Sequence, residues 1–160
     1  MRSGAPSAAV AGRFEMSAPL ERDPRWVDVV LDSRWTWLIA RIALTSAYFI
    51  GGVTKLFDYR GAVIEQEHFG LHPGWLWASL AILIELGGSI LIISGRLVWL
   101  GAGGIAVLTL MASLVANDFW NMQGHARAMG INTFFEHMGL IGGCVMAALL
   151  AEHERRLEPR

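Results

Sequence analysis

Ionisable side chains are rare between residues 35 and 151, so the few that occur are the first candidates for chemistry. Arg41, Lys55 and Glu85 interrupt long runs of Leu, Ile, Val, Ala and Gly. A charge at the centre of a membrane helix costs about 2.5–3.5 kcal/mol on insertion scales, so each such group needs a partner or a function. Arg41 stands just inside the first apolar run and Glu85 stands near the middle of the second. They form the expected ion pair, acting either as a clamp on helix register or as a ligand or proton site. Arg41, Thr45, Tyr48, Gly52 and Lys55 recur at three- and four-residue spacing. That spacing places them on one helical face, a polar stripe turned towards the interior of a bundle.

A second group lies near the other ends of the apolar runs. Asp118 and Trp120 follow the third run, and Asn132, Glu136 and His137 enter the fourth. Together they are candidates for a pocket holding the headgroup of a quinone or a lipid. In it His137, Glu136 or Asp118 could hydrogen-bond a carbonyl or exchange protons. Lys55 could neutralise Asp118 or Glu136. His68 and His72 have the i, i+4 spacing of a helical metal pair, but Gly70 between them and Pro73 after them argue against a regular helix. His137 has no second histidine at matching depth for haem, so no metal site is expected. Cys144 is the one cysteine, which excludes an internal disulfide and a CxxC redox pair. Within an apolar run it reads as packing.

The elements that must carry these residues follow from composition. The chain has 160 residues, 54% apolar and 17% charged, and its charges gather at the ends and in short gaps. A hydrocarbon core takes about 20 residues of helix. Four runs meet that length, at about 35–54, 75–94, 97–116 and 131–151. None alternates strictly, so a transmembrane barrel is not supported. The expected fold is all-α: a four-transmembrane-helix bundle over 35–151, with a short N-terminal interfacial helix. Residues 1–34 form an N-terminal tail with an amphipathic segment, and 152–160 a C-terminal tail. Asp23-Pro24 reads as N-cap and first helical residue. Trp26 to Leu31 then fits either a surface helix or an extension of the first span. Ala43, Ala47 and Gly51, the pair Gly139 and Gly143, Gly87-Gly88 and the Gly101–Gly104 cluster supply small faces for close helix approach.

Charge gives an orientation. Arg2, Arg13, Arg22, Arg25, Arg34, Arg96, Arg155, Arg156 and Arg160 fall on one side of such a bundle. Lys55, Arg60 and Arg127 fall on the other. The excess predicts both termini in the cytoplasm, the protein being integral to a cytoplasmic (inner) membrane. Trp35, Trp37, Trp75, Trp77, Trp99 and Trp120 cluster at the span ends, as interfacial anchors do. A net charge of −1 gives no field for nucleic acid. The partners expected are the bilayer and either other membrane subunits or further copies of the chain.

No Walker loop, dinucleotide fingerprint, serine elbow or zincin helix occurs. Several segments instead recur in a fixed order. Arg41 opens the first span, and Gly51-Gly52-Val53-Thr54-Lys55-Leu56-Phe57-Asp58 closes it. Phe69-Gly70-Leu71 ends a loop, Ile84-Glu85-Leu86-Gly87-Gly88-Ser89 lies in the second span, and Gly95-Arg96 leads into the third. Asn117-Asp118-Phe119-Trp120 follows, then Phe135 to Gly143 (FEHMGLIGG). In this order the segments make the chain resemble the DoxX family of small membrane proteins over residues 35–150. The resemblance implies a four-helix bundle and association with quinol oxidase and thiosulfate:quinone oxidoreductase assemblies, or with complexes that resist oxidative stress. Arg41, Lys55, Glu85 and Phe119-Trp120 match the family pattern, whereas Asp118 departs from a position that is often histidine-like in relatives.

The function expected is therefore a non-catalytic accessory subunit of a quinone-linked membrane redox complex, with quinone the one cofactor implied. The alternatives are a quinone-coupled oxidoreductase subunit using the His137–Glu136 cluster, and a small-solute or proton carrier with Arg41 and Glu85 at the midplane.

Overall fold

A computed structural model describes residues 24–157, and these form six helices and no strand. The chain divides into residues 1–32 and residues 33–160. Within the first unit, α1 (Arg25–Leu31) is a two-turn helix closed by the Asp32 amide on the Asp28 carbonyl at 2.9 Å. It is a separate helix, because the chain leaves helical geometry at Ser33 before the next element begins. Pro24 stands in the capping position and Arg25 is the first helical residue, one place later than expected; Asp23 lies outside the described residues.

The second unit holds α2 (Arg34–Phe57), α3 (Tyr59–His68), α4 (Gly74–Ser94), α5 (Val98–Val115) and α6 (Gly124–Leu157). Of these, α2, α4, α5 and α6 are long and apolar enough to cross a membrane. Their outward faces carry large apolar side chains, among them Ile39, Ile50, Leu83, Val107, Phe135 and Leu149. A soluble protein does not leave so much contiguous apolar surface in water. Trp35, Trp75, Trp99 and Trp120 are more than half exposed near the helix ends, where indole rings meet headgroups.

Each span begins and ends for a local reason. The Ser33 hydroxyl accepts from the Trp35 amide at 3.3 Å and caps α2. Asp58 closes α2 and caps α3, its Oδ1 accepting from the Gly61 amide at 3.0 Å. That shared aspartate folds α3 back immediately, so a segment expected as loop is a ten-residue helix. It packs on α4, where Gly74 lets the backbones close; a Cβ there would stand 2.7 Å from the Val63 carbonyl. Gly95 ends α4 with φ of 72°, in the left-handed region that glycine enters without strain. The α6 helix is longer than its apolar stretch at both ends. It continues through Leu157, where Glu152 bridges Arg155 at 2.8 Å and Arg156 at 2.9 Å.

Neighbouring helices pack in the order α2, α4, α5, α6, with only slight contact between α2 and α6. Ile92, Val98, Ala102, Ile105 and Cys144 form the core. The α4–α5 crossing is close: a Cβ on Gly101 would lie 2.7 Å from the Gly88 carbonyl oxygen. In lipid, apolar burial gives helices no drive to associate, so close van der Waals packing of this kind carries the bundle. The other small stripes behave differently. Ala43 and Ala47 are exposed, and of the Gly139 and Gly143 pair only Gly143 meets a neighbour, where a Cβ would lie 2.9 Å from Leu44.

Candidate functional site: an ion pair beside an apolar cavity

The polar stripe of α2 faces inward. Thr45 and Gly52 are buried, and Arg41, Tyr48 and Lys55 are half-buried. Thr45 Oγ1 donates to the Arg41 carbonyl at 2.8 Å, which satisfies its hydroxyl within the helix. The hydroxyls of Tyr48 and Thr109 lie 2.8 Å apart and tie α2 to α5.

The ion pairs are not the expected ones. Glu85 pairs with Lys55, Nζ to Oε1 at 2.6 Å. Arg41 instead approaches Glu154 of α6 at 3.8 Å. The cause is register. With α2 and α4 side by side, Gly52 meets Glu85 and Leu86, while Arg41 lies against Gly95 at the far end of α4. The Arg41 guanidinium is thus about three turns from the level of Glu85, and Lys55 is within reach. Lys55 is thereby committed and does not serve Asp118 or Glu136.

Glu85 is only 8% exposed, and its Oε2 finds no hydrogen-bond donor among the described residues. A buried carboxylate oxygen without a donor is costly, which makes Glu85 the candidate polar group of this region. Beside it is a cavity of about 320 Å³. Lys55 and Glu85 line it together with Glu65 and Gln66 of α3, Trp77 and Ala81 of α4, and Met111 of α5. Most of its wall is apolar. A largely apolar cavity with a few polar groups at one place is the usual form of a small-molecule site.

The second predicted group divides into three. Asp118 accepts from Asn121 at 2.8 Å in the α5–α6 loop, beside an exposed Trp120. Asn132 donates to Glu136 at 2.6 Å on an exposed face of α6. His137 turns inward instead, its Nδ1 2.6 Å from the Ser113 hydroxyl. Asn132 and Glu136 thus point away from His137 and are not brought into its hydrogen-bonded group. The sequence reading placed Asn117 in the outer polar group but missed the buried α5 residues Thr109 and Ser113. Their four-residue spacing was a readable sign of a polar face. Asn117 donates to the Gly130 carbonyl at 2.8 Å and ties α5 to the start of α6.

His68 ends α3 and Gly70 follows at φ of 77°, so His68 and His72 do not share a helix. Among the described residues no three His, Cys, Asp or Glu converge as metal ligands do.

The sequence model of the DoxX family matches residues 36–118. The chain belongs to the DoxX family. The matched segment of this DoxX protein runs from α2 through α5 and contains both Lys55 and Glu85, whereas α6, with Asn132, Glu136 and His137, lies beyond it. Among curated proteins, the inner membrane protein YphA of Escherichia coli (strain K12) is similar. It is 27% identical over 112 residues, which cover 70% of this chain and 80% of that protein. No solved structure matches. The DoxX match and the four apolar helices together make this an integral membrane protein.

Proposed function

We propose that this DoxX protein is a non-catalytic accessory subunit of a quinone-linked redox complex in the inner membrane, and that it holds an amphiphile, a quinone or a lipid. The observation that carries the reading is the cavity of about 320 Å³ with an ion pair in its wall. An apolar chamber suits the body of an amphiphile, and Lys55 and Glu85 suit its polar head. The candidate pocket thereby moves from the Asp118, Trp120, Asn132, Glu136 and His137 group to α2, α3, α4 and α5. The inner-membrane relative and the arginine-rich segments support placement in that membrane with both termini cytoplasmic. On this reading α2 and α6 have their outer ends on one side of the membrane and α3 lies on the other, as four crossings require.

The test is purification of the native chain in a gentle detergent, with mass spectrometry of what stays bound. Co-purification of a redox enzyme with a quinone or a stoichiometric lipid supports the reading. A lone chain or homo-oligomer with bulk lipid alone overturns it.

A further inference from the structure

The cavity also specifies the headgroup it can take, an inference that rests on the amphiphile reading above. Lys55 and Glu85 neutralise one another, but only one carboxylate oxygen is used. The other needs a hydrogen-bond donor. The terminal torsion of a glutamate is soft, so rotation of the carboxylate can offer Oε2 to the cavity while Lys55 keeps its contact. A carbonyl or an ether cannot satisfy that oxygen, because each only accepts. A cationic head would be attracted by Glu65 and Glu85, but it would have to sit beside the Lys55 ammonium already on the same carboxylate. An anion would face two carboxylates, Glu65 and Glu85, against one ammonium. A neutral hydroxyl answers each constraint: it donates to Glu85 and can accept from a remaining Lys55 hydrogen.

The rest of the chamber fixes the body of the ligand. Leu80, Val107 and Met111 line it and are also exposed on the outward surface of α4 and α5. An apolar tail can therefore leave the chamber sideways into the acyl region of the bilayer. We propose that the cavity binds a neutral amphiphile with a free hydroxyl, the hydroxyl donating to Glu85 and the tail passing out between α4 and α5. An aliphatic alcohol of glyceride type and a phenol share this chemistry.

The full chain in phosphatidylcholine nanodiscs is titrated with tritiated 1-decanol, tritiated 4-octylphenol and the methyl ether of each, with empty nanodiscs as the blank. The expected result is saturable binding of at least one hydroxyl probe, about ten-fold tighter than its ether, since one hydrogen bond to a charged group is at stake. Whether decanol or octylphenol shows the larger ratio tells the aliphatic source from the phenolic one. Glu85→Gln should collapse the ratio by replacing an accepting oxygen with an amide, and Ala81→Leu should weaken every probe by filling the chamber. The alcohol-to-ether ratio on the unmutated chain stands even if a variant misfolds. Equal binding of alcohol and ether overturns the hydroxyl inference and leaves the amphiphile pocket intact. No saturable binding of any probe overturns both.

Discussion

The ammonium of Lys55 lies 2.6 Å from Oε1 of Glu85 and joins the end of α2 to the middle of α4. Both side chains are largely buried, at 23% and 10% exposure. Removing one member strands the other, which costs about 3–5 kcal/mol for a buried pair. Lys55→Met and Glu85→Ala should each destabilise on that scale in SDS unfolding. Replacing both with Met should recover most of the loss, because two apolar groups need no partner. A double variant no better than either single one would show that the pair is not coupled.

Arg41 and Glu154 make the contrasting case. Their contact is 3.8 Å and Glu154 is half exposed. Arg41 is itself only 21% exposed, but the long contact and the half-exposed partner keep the pair near the exposed limit of about 0–1 kcal/mol. Arg41→Gln should therefore shift SDS unfolding by less than about 1 kcal/mol. A loss comparable to that of Lys55→Met would reveal a buried role for the guanidinium.

Gly101 and Gly103 separate close packing from helix propensity. A Cβ on Gly101 meets the Gly88 carbonyl at 2.7 Å, whereas one on Gly103 meets nothing within 4 Å. Gly101→Val should cost about 1–3 kcal/mol by overpacking. Gly103→Ala should be neutral or stabilising by up to about 1 kcal/mol, as for any exposed helical glycine. Thermal melts of the two variants in one detergent give the comparison, and equal melting would refute the α4–α5 crossing.

Asn117 is buried and bonds the Gly130 carbonyl across the α5–α6 connection at 2.8 Å. Asn117→Ala should cost about 1 kcal/mol, the usual net value of one such bond. It should also speed amide exchange in the connecting residues 116–123, which the bond holds near α6. Unchanged exchange there would show that the connection is held by other contacts, such as the packing of Phe119 on Phe134 with centroids 5.4 Å apart.

The number of spans was legible because hydropathy is a sum over about 20 residues and tolerates local error. The ends were less so. Asp58 closes one helix and opens the next with the same residue, which hid α3 inside an apparent loop. The inward face of α2 was readable too, since three- and four-residue spacing holds within any helix. The candidate pocket was not, because Asn132, Glu136 and His137 are close in sequence yet point in different directions around one helix. Turning about 100° per residue, α6 sends Glu136 outward and His137 towards Ser113.

By itself the sequence determined that this chain spans a membrane four times and that Arg41, Lys55 and Glu85 must find partners there, because the cost of a bare charge in hydrocarbon does not depend on the fold. The partners themselves were decided by the tertiary structure. Sliding α4 by one turn along α2 would part Glu85 from Lys55, and about three turns would be needed to bring it to Arg41. That register is set by shape, Gly52 against Leu86 and Arg41 against Gly95, just as Gly88 against Gly101 sets that of α4 on α5. Such contacts couple residues far apart in the chain, and no local pattern of residue types encodes them. The same packing left Ala43 and Ala47 facing outward and opened the cavity beside Glu85, because small residues permit close approach without choosing the surface they approach.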